Sequence, residues 1–115
     1  MKEQKLYIVH MIECAERILS YTTPVDRRVF LSDFKTQDAV IRNFEIIGEA
    51  AKRVSQQTRD LAPSIPWKRI AGFRDVLIHQ YEGVDVEQLW ERVEKDLPPL
   101  AKSLKALLSE MENAS

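Results

Sequence analysis

Apolar residues recur along this chain at intervals of three and four, and alternation at every second position is almost absent, so the pattern predicts helices throughout. The first segment, about Glu3 to Tyr21, carries two adjoining stripes: Tyr7, Met11 and Ile18 beside Ile8, Ile12, Ala15 and Leu19. It stops at Thr22-Thr23-Pro24, because proline disfavours helix in the residue before it. After a connector containing Phe30, Leu31 and Phe34, Thr36 reads as an N-cap with Asp38 in the first turn. The second helix presents Val40, Phe44, Ile47, Ala51 and Val54, and pairs charges such as Glu49 and Arg53 on its outer face. Gly48 interrupts it at a cost of about 1 kcal/mol relative to alanine, which points to close packing against a neighbour.

A third helix begins at Pro66-Trp67, with proline in the favoured first turn, and runs to about Gln80. Asp85 with Gln88 has the form of a capping box opening the last segment. There Leu89, Val93, Leu97, Leu100, Leu104, Leu108 and Met111 keep helical phase across Pro98-Pro99. Four amphipathic helices with short connections predict an all-α, antiparallel four-helix bundle whose C-terminal helix is kinked or split.

Length and composition narrow the class. With 115 residues, 44% of them apolar and 30% charged, residues 1–115 read as one globular domain with a real core. No apolar run could span a bilayer, and Met1 to Lys5 leads into an amphipathic pattern instead of a signal sequence. The single cysteine, Cys14, excludes an internal disulfide and fits a reducing compartment, so the expected location is the cytoplasm. A net charge of −1 offers no broad positive field to polyanions. Any nucleic-acid contact must come from a local patch or one assembled from two copies, and no basic recognition helix marks a DNA-binding module.

Only the stretch from Ile70 to Tyr81 reads as chemistry. Ile70, Phe73, Val76 and Leu77 form an apolar arc, and Arg74 lies at its edge, where a guanidinium needs a partner. Asp75 and His79 are four residues apart, so the carboxylate could orient the imidazole. On an ideal helix Arg74 and His79 are roughly 140° apart, so both reach one phosphate only if the helix ends near His79 or a second subunit contributes. Arginine grips a phosphate through parallel hydrogen bonds, and histidine moves protons near neutral pH. Together they suffice for RNA cleavage, because the ribose 2′-hydroxyl is a nucleophile already carried by the substrate and no metal or cofactor is required. Arg-x4-His alone arises by chance in on the order of one chain in ten of this size, and Tyr81 two residues beyond makes accident rarer.

These residues resemble the Arg-x4-His-x-Tyr motif of HepT-type HEPN proteins. Ala39-Val40-Ile41-Arg42, Ile46-Ile47-Gly48-Glu49-Ala50-Ala51, Ile65-Pro66-Trp67, Gly72-Phe73-Arg74 and Tyr81-Glu82-Gly83-Val84-Asp85 follow the family's pattern in order. The resemblance covers nearly the whole chain, most strongly Thr36 to Trp90. It implies a homodimer whose two motifs meet in a cleft, with Arg74 and His79 catalytic, Asp75 the supporting polar residue, and RNA the substrate. It also implies an MntA-like nucleotidyltransferase antitoxin as partner, and Tyr81 as the acceptor of AMP. The family often reads Asp-Tyr-Phe-Gly where this chain has Gln80-Tyr81-Glu82-Gly83, which adds a negative charge beside the motif.

The sequence admits two other readings. In a non-catalytic HEPN subunit Arg74 would grip a phosphate that is never cleaved, although such a grip needs no imidazole. A metal site at His10 and Cys14, on one helix face, has two ligands where zinc takes three or four.

Overall fold

The computed structural model describes residues 2–80 and 83–114, and every regular element among them is helical. In chain order these are α1 (Lys2–Thr22), α2 (Arg27–Phe30), α3 (Phe34–Arg53), α4 (Gln56–Arg59), α5 (Trp67–His79), α6 (Val86–Glu91) and α7 (Leu97–Ala114). A π turn, Arg92–Asp96, joins α6 to α7. None of these helices is long and apolar enough to cross a membrane.

The helical stripes read from the sequence are the buried surfaces. Ile8, Met11 and Ile18 of α1, Val40 and Ile47 of α3, and Leu97 and Leu104 of α7 are essentially inaccessible. Helix α1 packs on both α3 and α7, and α5 packs on α3. The motif helix is therefore held chiefly by α3, whose register on α5 decides where Arg74 sits.

The connector after α1 is more ordered than the sequence suggested. Asp26 caps α2 by accepting the Val29 N–H at 2.9 Å, and Phe30 buries its ring against Trp90 at 5.0 Å. Ser55 likewise caps α4 by accepting the Thr58 N–H. Both are single helical turns, too short to show periodicity.

Three boundaries differ from expectation. Helix α3 starts at Phe34 with Asp33 as its N-cap, not at Thr36. The Asp33 carboxylate accepts both the Thr36 N–H at 3.1 Å and the Thr36 hydroxyl at 2.6 Å, so the threonine supports the cap from inside the helix. Pro66 stands at the cap of α5 and Trp67 is the first helical residue, its indole N–H donating to the Ala62 carbonyl at 3.1 Å. In the last segment the break lies in the π turn, ahead of Pro98-Pro99, which sit in the first turn of α7 where prolines are tolerated. The core then takes Leu107 and leaves Leu108 half-buried. Asp85 caps α6 as expected, accepting the N–H groups of Glu87 and Gln88.

Candidate functional site

Helix α5 is anchored near its ends by buried Trp67 and Leu77. Between them Phe73 meets Phe44 of α3 edge to face, with ring centroids 5.3 Å apart. The other side of α5 is open: Val76 is 41% exposed and lines an apolar groove of about 610 Å3 with Ile70, Phe73 and residues of the π turn and α7.

Gly48 explains how Arg74 is seated. A Cβ built on Gly48 would lie 2.2 Å from the Arg74 Cβ and 2.9 Å from its Cγ, with the Ile70 carbonyl oxygen at 3.2 Å. The root of the arginine side chain occupies the space that glycine leaves. From there the side chain runs along the surface of α3, only 25% exposed. Arg74 Nη2 pairs with Glu49 Oε2 at 3.0 Å, and Nη1 donates to Asp75 Oδ1 at 2.9 Å.

The same Asp75 oxygen accepts from Lys52 Nζ at 2.7 Å. These donors stabilise the ionised carboxylate, Lys52 first and Arg74 second, and hold its pKa below the ordinary value of 3.8. The expected contact between Asp75 and His79 is not among these bonds. Two cations take up the carboxylate, and no hydrogen bond or ion pair joins it to His79 among the described residues.

His79 is the last residue of α5 and is exposed, with Gln80 at the C-cap. The helix thus ends at His79, with Arg74 five residues before it in the same helix. Tyr81, the expected AMP acceptor, lies outside the described residues. Cys14 is fully buried, and desolvation raises its thiol pKa, whereas His10 is exposed. Among the described residues no group of three His, Cys, Asp or Glu could hold a metal ion.

Sequence reasoning found Arg74 and its need for a counter-charge but not the partners. The sequence pairs Glu49 with Arg53, and that pair is a loose 3.8 Å. The signal for the cross-helix contact was Gly48, whose missing side chain leaves room for the root of Arg74.

An all-α domain whose motif helix carries a seated arginine and a terminal histidine defines the class. The chain belongs to the HepT-like family: the family model described as "Ribonuclease HepT-like" matches residues 11–107. Over 99 residues it is 46% identical to "Probable ribonuclease HepT" of Thermococcus cleftensis, covering 86% of this chain and 90% of that one. It is also 40% identical over 111 residues, 96% of its length, to a Methanocaldococcus jannaschii protein named "Gamma-glutamylcyclotransferase and putative RNase". The chain spans half the length of that relative. No solved structure matches.

Proposed function

We propose that this protein is a metal-independent endoribonuclease toxin that cuts RNA with Arg74 and His79 at the interface of a homodimer. The observation that carries the reading is the seat of Arg74: a guanidinium fixed by Gly48, Glu49 and Asp75 on the helix that ends at His79. Membership of the HepT-like family and the ribonuclease names of its relatives support it.

In the proposed reaction an imidazole takes the proton of a ribose 2′-hydroxyl, and the 2′-oxygen attacks the adjacent phosphorus. The bond to the 5′-oxygen breaks, and a second imidazole protonates that leaving group. The products are a 2′,3′-cyclic phosphate and a 5′-hydroxyl. Arg74 bears the charge that builds on the phosphoryl oxygens. One His79 per chain supplies one imidazole, and a two-fold axis supplies the other. The half-exposed apolar side of α5 is surface that a second copy could cover.

The proposed partner is an MntA-like nucleotidyltransferase that silences the enzyme by joining AMP to the Tyr81 phenol, with pyrophosphate leaving from ATP. The added nucleotide would put a phosphodiester two residues from His79 in sequence, where it competes with RNA for Arg74.

The test is incubation of purified protein with total RNA in EDTA, beside Arg74→Ala and His79→Ala. Cleavage by the wild type and a loss of at least a hundredfold in each variant is the expected result. Nucleotide or RNA binding with no cleavage by unmodified wild type would favour the non-catalytic subunit instead.

A further inference from the structure

Arg74 also forms one wall of a second cleft, of about 400 Å3, where the charged side chains of α3 stand around an apolar base that includes Ile46, Ala50 and Ile78. Those side chains are Arg42, Glu45, Glu49 and Arg53; the far wall is α1, with Tyr7 and His10. None of the α1 residues belongs to the motif.

The charges lining this cleft fall into two kinds. Arg74 is held at 3.0 Å or less by its carboxylates, whereas the Arg42–Glu45 and Arg53–Glu49 pairs are 3.8 Å apart on side chains 71% and 61% exposed for the arginines. Exposed pairs of that geometry stabilise the fold little, so both guanidiniums are free to turn toward an incoming anion. Across from them Tyr7 and His10, three residues apart on one face of α1, both line the cleft, His10 exposed and Tyr7 half-buried against the core. Cationic forks opposite flat rings are the two elements that single-stranded RNA needs: phosphate charge is met on one side and a base stacks on the other. The volume is in the range that holds a small-molecule ligand.

We propose that this cleft seats one nucleotide of the RNA strand next to the scissile phosphate, with Tyr7 and His10 stacking its base and Arg42 and Arg53 meeting its phosphate. The inference rests on the ribonuclease reading and extends it. Arg74 is shared between the scissile phosphate and this subsite, so the strand enters over α1 and α3. Tyr7 and His10 thereby bind substrate and take part in choosing which base lies beside the cut.

The experiment separates binding from cleavage. Binding of a short 2′-O-methyl RNA, which has no free 2′-hydroxyl to react, is followed by fluorescence anisotropy for wild type, Tyr7→Ala, His10→Ala and Lys102→Ala. Lys102 is an exposed cation of α7, away from the cleft lining. Steady-state cleavage of the matching RNA is measured in parallel, and circular dichroism verifies that each variant is folded. The inference expects at least a fivefold weaker Kd in the Tyr7 and His10 variants. It further expects a KM raised by a similar factor with kcat within twofold, and no change for Lys102→Ala. Folded Tyr7 and His10 variants that bind and cleave as the wild type does would overturn it, as would a wild type that fails to bind the oligonucleotide. Binding that depends on Tyr7 and His10 in a protein that cuts nothing would uphold the cleft and sink the ribonuclease reading.

Discussion

A methyl group at position 48 would meet the root of Arg74, not its mobile end, so the contact could be relieved only by parting α3 from α5. Gly48→Ala gains about 1 kcal/mol of helix propensity. Against this, overpacking typically costs about 1–3 kcal/mol, and a 2.2 Å approach belongs at the upper end. The expected result is a net loss of about 1–2 kcal/mol in chemical denaturation, together with lower RNA cleavage because Arg74 moves. An alanine variant as stable as the wild type would mean that the helices do not approach so closely.

Asp75 gives a second test at the same scale. Its carboxyl pKa is depressed in the folded chain by Lys52 and then Arg74. The stabilisation from these pairs is therefore complete above the unfolded value, near 3.8, and is lost as pH falls through the lower folded value. Thermal unfolding of Asp75→Asn should lie slightly below that of wild type at neutral pH and converge with it in acid. Added salt should narrow the gap, since the carboxylate is half exposed. The sequence announced that Arg74 needed a counter-charge. It could not announce which one, because Glu49 reaches Arg74, and Lys52 reaches Asp75, only through the register of two helices.

Among the elements, the long helices were legible because each buries a stripe that repeats over several turns. Leu97, Leu100, Leu104 and Met111 line the core as their spacing implied, whereas the single turns α2 and α4 have no period to read. The π turn escaped because the buried face keeps its phase across it, from Leu89 and Val93 to Leu97 and Leu100, and so leaves no break in the apolar pattern. Leu104→Ala, at a fully buried position on α7, should cost about 2–5 kcal/mol in chemical denaturation. Asp85→Ala, which removes the acceptor for two N–H groups at the start of α6, should cost about 1 kcal/mol. A larger effect for the cap than for the core leucine would contradict this division of roles.

For the whole molecule, a net charge of −1 means that affinity for RNA must come from a few arginines in the right places and not from an overall field. The proposed chemistry needs two imidazoles, while the motif carries one. Sedimentation of the active protein should therefore give twice the chain mass of 13.4 kDa, and a monomer that cleaves RNA would remove the two-histidine scheme.

The central claim is that the 2′-hydroxyl of the substrate is the nucleophile, assisted by His79 and Arg74. The ends of the RNA fragments produced by the wild type in EDTA test it most directly. The account expects 2′,3′-cyclic phosphates and 5′-hydroxyls, absent when Arg74 or His79 is alanine. Fragments bearing 3′-hydroxyls and 5′-phosphates would show that water attacked the phosphorus, and would contradict the mechanism at its first step.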